Sequence, residues 1–132
     1  MRPKKGRLMT EVVLATLAFY LLQLMLPNLI AVGRGEIDAR VLFGVRDATV
    51  EKSIIVRRAE RAAVNIQESL IVFLPLAALA IAGGTSVAET ATIWLGLRVA
   101  YLISYLMGIA FVRTFIWFGS VYCLGVMAVA LI

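Results

Sequence analysis

Four polar side chains recur in register along an otherwise apolar stretch: Arg58, Arg61, Asn65 and Glu68, at spacings of three, four and three. On an α-helix, at about 100° per residue, they fall within an arc of roughly 80° and form one polar stripe. Trp94, Arg98, Tyr101 and Tyr105 repeat the pattern at four, three and four, giving an aromatic and cationic edge able to meet the first, and Arg113 and Thr114 follow. Guanidiniums clamp carboxylates bidentately, a carboxylate such as Glu68 receives an ammonium, and Asn65 offers both donor and acceptor. A cleft between two such stripes suits an amphipathic ligand with charged ends, a zwitterionic peptide among them, and the tyrosines add hydroxyls and ring surface. The same residues admit a structural reading. Arg61 and Glu68 would form an interhelical ion pair bridged by Asn65, the tyrosines would be packing or interfacial anchors, and Arg113 a snorkelling charge at a helix end. Arg98, well inside an apolar run, resists that reading, because an ionisable group at membrane depth must face protein or water.

The elements that carry these stripes are membrane spans. The chain has 132 residues, 62% of them hydrophobic and only 16% charged, with a mean hydropathy of +0.96. Its uncharged runs reach the roughly 20 residues that a helix needs to cross the hydrocarbon layer. The net charge of +5 decorates helix ends and gives no reason to expect nucleic acid as a partner. A single cysteine, Cys123, and no histidine exclude an internal disulfide, a Cys/His zinc site and a Ser-His-Asp triad by counting. Cys123 reads as a small packing residue.

One all-α domain is expected over residues 1–132, an integral membrane four-helix bundle with spans at about 11–33, 54–82, 88–112 and 114–132. The first opens after Thr10-Glu11. Its basic leader, Arg2 to Arg7, with Ala31 and Gly33, imitates a signal peptide, but the apolar stretch exceeds the about 7 to 15 residues of a signal core and is expected to stay as a span. Residues 34–53, with Arg34, Arg40, Arg46, Asp47, Glu51 and Lys52, read as a solvated loop. The second span is longer than the hydrocarbon core, so its polar first turns protrude or are shielded, and Gly83-Gly84 ends it. Ser86-Val87-Ala88-Glu89 has the form of a capping box opening the third span, and Arg113-Thr114 is expected to separate the third from the fourth. Lys and Arg counts place the first loop in the cytoplasm and both termini outside. The reverse orientation, with the basic leader inside, stays open.

The run Arg61-Ala62-Ala63-Val64-Asn65-Ile66-Gln67-Glu68, following a charged loop, resembles the R-A-x-x-N-x-x-E signature of the MAPEG family, the membrane-associated proteins in eicosanoid and glutathione metabolism. Arg98-Val99-Ala100-Tyr101, Tyr105 and Arg113-Thr114 look like the later parts of that pattern, in order and at family length. The resemblance implies a bundle that assembles as a homotrimer, with glutathione bound between adjacent subunits and open toward the cytoplasmic side. Catalytic members conjugate glutathione to lipophilic electrophiles, reduce lipid hydroperoxides or isomerise endoperoxides. By that resemblance Arg58, Arg61, Asn65, Glu68, Arg98, Tyr101 and Tyr105 would bind glutathione, with Arg34 or Arg40 contributing from the first loop. Arg113, beside Thr114 where some members place a serine, would stabilise the thiolate. A thiol beside a guanidinium in a water-poor site is more fully ionised and needs no side-chain base. The sequence departs from mammalian enzymes at two positions: Ser69 stands where one synthase has a tyrosine that touches its ligand, and Tyr101 where another has histidine.

The function expected is therefore that of a glutathione-dependent transferase or peroxidase acting on lipophilic electrophiles. A bacterial inner membrane, with the first loop cytoplasmic, is the expected setting. Partners would be a second and third copy of the chain, glutathione, a lipophilic substrate and membrane lipid, with no metal. The alternatives are a non-catalytic scaffold of the same fold, in which the stripe only fixes packing, and a small transporter. No acidic residue lies deep in the third or fourth span, which leaves a transporter without a continuous relay.

Overall fold

A computed structural model of the protein describes residues 4–38, 40, 44 and 52–132. The first-loop residues Arg46, Asp47 and Glu51 lie outside the described residues. Four long helices are present: α1 Lys4–Gly33, α2 Ile54–Gly83, α3 Ala88–Met107 and α4 Ala110–Ala130. Each contains a stretch long and apolar enough to cross a membrane, and no strand occurs among the described residues.

Tight connections make α2 and α3, and α3 and α4, antiparallel neighbours. At the end of α2, Gly84 adopts φ 68°, its N–H reaches the Ile81 carbonyl, and the Thr85 N–H reaches the Ala80 carbonyl at 2.9 Å. This is the Schellman arrangement that the Gly83-Gly84 pair leads one to expect. The ends of α1 and α2 are tied across the first loop. Glu36 accepts from Ser53 Oγ at 2.9 Å, while Ser53 caps α2 by accepting from the Val56 N–H.

Packing is organised around α2. Its buried positions Val56, Ala59, Ala63, Ile66, Leu70, Phe73, Ala77 and Ala80, with Ala62 buried beside them, alternate steps of three and four, the spacing that keeps one seam facing neighbouring helices. Lipid is as apolar as leucine, so burial alone gains little here; close contact does the work, and small alanines permit it. Met9, Thr16, Gln23, Pro27 and Ala31 place a matching seam on α1, so α1 is an integral member of the bundle. The central core joins Ile66, Leu70 and Phe73 to Trp94, Leu124 and Met127. Within it Phe73 and Trp94 stack face to face, with ring centroids 4.1 Å apart and planes 6° off parallel. α3 touches all three other helices.

Three boundaries differ from the sequence expectations. α1 begins at Lys4, upstream of the apolar run, because lysine and arginine are good helix formers outside hydrocarbon. The capping box at Ser86 does not form: Val87 is the cap residue and makes no side-chain cap bond. The break between the third and fourth spans lies at Gly108-Ile109 rather than at Arg113-Thr114. Gly108 takes φ 76°, its N–H reaches the Tyr105 carbonyl, and the Ile109 N–H reaches the Ser104 carbonyl. Arg113 consequently sits in the first turn of α4.

Candidate functional site

The polar stripes of the second and third helices meet at one point, in the half of the bundle where α2 starts and α3 stops. Asn65 and Arg98 meet there directly: Arg98 Nη2 donates to Asn65 Oδ1 at 2.6 Å. Arg98 is 1% exposed, and among the described residues it forms no ion pair with a carboxylate. Its guanidinium instead lies over the Tyr101 ring, 4.5 Å from the centroid, while Nε and Nη1 have no hydrogen-bond partner among the described residues.

Tyr101 and Tyr105 are one turn apart on α3 and meet edge to face, with centroids 5.7 Å apart. The tight turn at Gly108 folds α4 back so that Arg113 lands over the Tyr105 ring, again 4.5 Å from the centroid. The site is thus a chain of guanidinium, ring, ring and guanidinium. Asn65, Tyr101, Tyr105, Arg113, Thr114 and Trp117 enclose a cleft of about 250 Å³. The Thr114 hydroxyl donates back to the Ala110 carbonyl at 3.0 Å.

Asn65 and Trp117 also belong to a second, largely apolar groove of about 450 Å³ between α2 and α4, which Glu68, Val72, Leu76, Val121 and Ala128 help to line. A polar cleft opening onto an apolar groove can seat one molecule with a charged head and a lipophilic partner or tail beside it.

The stripe of α2 divides. Arg58 turns toward the α3–α4 corner, where Nη1 donates to the Leu106 carbonyl at 3.4 Å and the guanidinium packs against Gly108, so that a Cβ there would sit 2.8 Å from Nη1. It covers a helix C-terminus, where a cation is favoured, and does not line the cleft. Arg61 and Glu68 are exposed on the single chain and form no hydrogen bond or ion pair among the described residues. In the first loop Arg34 Nε pairs with Glu36 at 3.0 Å, and Arg40 is exposed, its backbone N–H donating to Asp38. Trp94, counted with the α3 stripe by its spacing, is wholly buried against Phe73 and belongs to the core. Trp117 is the lining residue that sequence reasoning missed; its position four residues after Arg113 on one helix face was the available signal.

No metal-binding group of acidic, cysteine or histidine residues occurs among the described residues. No curated protein and no solved structure matches the chain. A family model does: the match to the MAPEG family runs over residues 12–132 and takes in all four helices, and the protein belongs to that family.

Proposed function

We propose that the protein is a glutathione-dependent transferase or peroxidase that acts on lipophilic electrophiles within the membrane. The observation that carries this reading is the cleft lined by Arg113 and backed by the buried Arg98 behind Tyr101 and Asn65, two cations held by aromatic faces and without carboxylate partners among the described residues, opening onto an apolar groove. The side chains fit a tripeptide with anionic ends. Arg113 and the tyrosine hydroxyls can receive carboxylate, carbonyl or thiolate. Asn65, whose Oδ1 is taken by Arg98, presents its amide N–H groups. Bound glutathione would supply a thiol nucleophile, and Arg113 would favour its ionised form. The groove would hold the lipophilic partner away from water.

The cleft in one chain, about 250 Å³, is smaller than the roughly 300 to 1,000 Å³ of most ligand pockets. Arg61 and Glu68 stand outside it and form no hydrogen bond or ion pair among the described residues. Both features favour a homotrimer in which a neighbouring copy completes each site, with Arg61 and Glu68 at the subunit boundary. Access from the first-loop side, taken as cytoplasmic in an inner membrane, follows from the end of the bundle at which the cleft lies.

The test is equilibrium binding of glutathione to the purified, detergent-solubilised protein. Saturable binding that Arg61→Ala and Glu68→Ala both weaken is the expected result. Absence of binding at millimolar glutathione ends the proposal.

A further inference from the structure

We propose that the face of the Tyr105 ring, and not its hydroxyl, is the device that positions Arg113. It holds the guanidinium in place without neutralising it, so that its charge stays available to an ionised thiol. This inference rests on the glutathione reading above and deepens it.

A cation in the first turn of a helix is electrostatically misplaced, because the unsatisfied N–H groups there already make that end positive. Arg113 occupies such a place on α4, and the helix has no side-chain cap at Ile109 to offset it. Something must therefore hold the guanidinium. A carboxylate would do so, but it would form a closed ion pair and consume the charge. Among the described residues none does: the ion pairs formed are Arg7–Glu11, Arg34–Glu36 and Lys52–Glu60. Glu68, which lines the adjoining groove, forms none. The carbonyls at the end of α3 are a second possible anchor, but each already accepts a hydrogen bond and the Arg113 side chain makes none to them among the described residues. Those of Ser104 and Tyr105 accept from Ile109 and Gly108, and that of Leu106 accepts from Arg58.

What remains is the ring of Tyr105, with the Arg113 guanidinium carbon 4.5 Å from its centroid. A ring face attracts a cation through its quadrupole but leaves the N–H edge free to donate. The Tyr105 ring is fixed in turn by its edge-to-face contact with Tyr101, whose own face carries Arg98. The charged and titratable groups around the position are Arg113, Arg98, Tyr101 and, from α2, Glu68. The two cations outnumber the one carboxylate. A thiol lodged at Arg113 would release its proton to water and leave a thiolate matched to an uncompensated guanidinium.

The experiment reads the ionisation of bound glutathione by difference absorbance across pH, with glutathione affinity measured separately at a pH where the thiol is protonated. With the site saturated at the separately measured affinity of each variant, Tyr105→Leu is expected to lower the thiolate fraction at neutral pH roughly tenfold. Tyr105→Phe keeps the ring and is expected to keep the thiol ionised, whatever the missing hydroxyl does to affinity. Should the leucine variant not fold, phenylalanine analogues carrying one, two and three ring fluorines at position 105 preserve shape while draining the π face, and the apparent thiol pKa is expected to climb with each fluorine. A pKa that stays flat along the fluorine series overturns the inference and leaves the glutathione reading standing. Equal loss of thiolate in the phenylalanine and leucine variants does the same, by assigning the effect to the hydroxyl. Wild-type protein that binds no glutathione overturns both.

Discussion

Arg98 of α3 and Asn65 of α2 are joined by a 2.6 Å hydrogen bond in which the guanidinium Nη2 donates to the amide Oδ1. It is the polar contact between the two stripes, and it fixes which way the Asn65 amide faces. With its oxygen turned to Arg98, Asn65 keeps both amide N–H groups free to donate. The bond also supplies the one hydrogen-bond acceptor among the described residues for a guanidinium that is 1% exposed. Polar contacts between membrane helices average only about 0.6 kcal/mol where both groups find other partners in the unfolded reference. A buried cation stripped of its acceptor costs more. Asn65→Leu is expected to destabilise the folded protein by about 3 kcal/mol, and the pair Asn65→Leu with Arg98→Leu by clearly less than the sum of the single changes. Reversible unfolding in mixed detergent micelles measures both. Additive losses would mean that the two side chains do not depend on each other.

The corner between α3 and α4 rests on Gly108, at φ 76°, with the Arg58 guanidinium packed on it. Two effects oppose a side chain there, and their sizes differ. The left-handed backbone costs a non-glycine residue about 1 to 2 kcal/mol, whereas a clash with the far end of a flexible arginine is relieved by a small shift. Gly108→Ala is therefore expected to lose about 1 to 2 kcal/mol whether position 58 is arginine or methionine. If Arg58→Met abolishes the penalty, the crowding and not the backbone is the cause.

How much of this was legible beforehand depends on what kind of signal each feature leaves. Gly83-Gly84 lies between an apolar run and a new polar start, so the end of α2 could be read directly. Gly108-Ile109 sits within apolar residues from Leu102 to Val112, interrupted only by Ser104 and Tyr105. The visible charge at Arg113 drew the boundary to itself, although the chain had already turned. Spacing placed Arg58, Arg61, Asn65 and Glu68 on one side of α2, but azimuth does not say what a side chain meets. Arg58 found a helix end, Asn65 found Arg98, and Arg61 and Glu68 found no partner. Trp117 stayed hidden because one more aromatic in an apolar span carries no contrast. The pairing of Arg113 with the Tyr105 face depends on how α4 folds back after Gly108, a tertiary fact with no local trace, whereas Arg98 and Tyr101 stand three residues apart on α3.

Ser53 links α2 to the end of α1 by two bonds, accepting from the Val56 N–H and donating to Glu36. Arg34 joins the same carboxylate at 3.0 Å from an exposed position. A helix cap is worth about 1 kcal/mol, an exposed ion pair between 0 and about 1. Ser53→Ala is expected to lower stability by about 1 kcal/mol and to speed amide exchange in the first turn of α2. Arg34→Ala is expected to leave stability nearly unchanged. A loss of glutathione affinity in Arg34→Ala would then report a contact with ligand and not a disturbed fold. A large stability loss in Arg34→Ala would contradict this separation.

The apolar groove extends from Asn65 to Leu76 along α2 and from Trp117 to Ala128 along α4. Each stretch advances eleven residues, so at 1.5 Å per residue the groove runs about 16 Å from the polar cleft into the hydrocarbon. An electrophile held at Arg113 would have room for a chain of comparable length and no need of it. Ala128 is at the distal end, where a larger side chain fills the groove without touching the cleft. Ala128→Phe is expected to raise the KM for conjugation of long-chain electrophiles roughly tenfold, since about two methylenes at about 0.8 kcal/mol each lose their place, while short aryl electrophiles keep theirs. Steady-state kinetics along a homologous series of chain lengths reads this directly. An equal change for short and long members would mean that the lipophilic partner does not lie along α2 and α4.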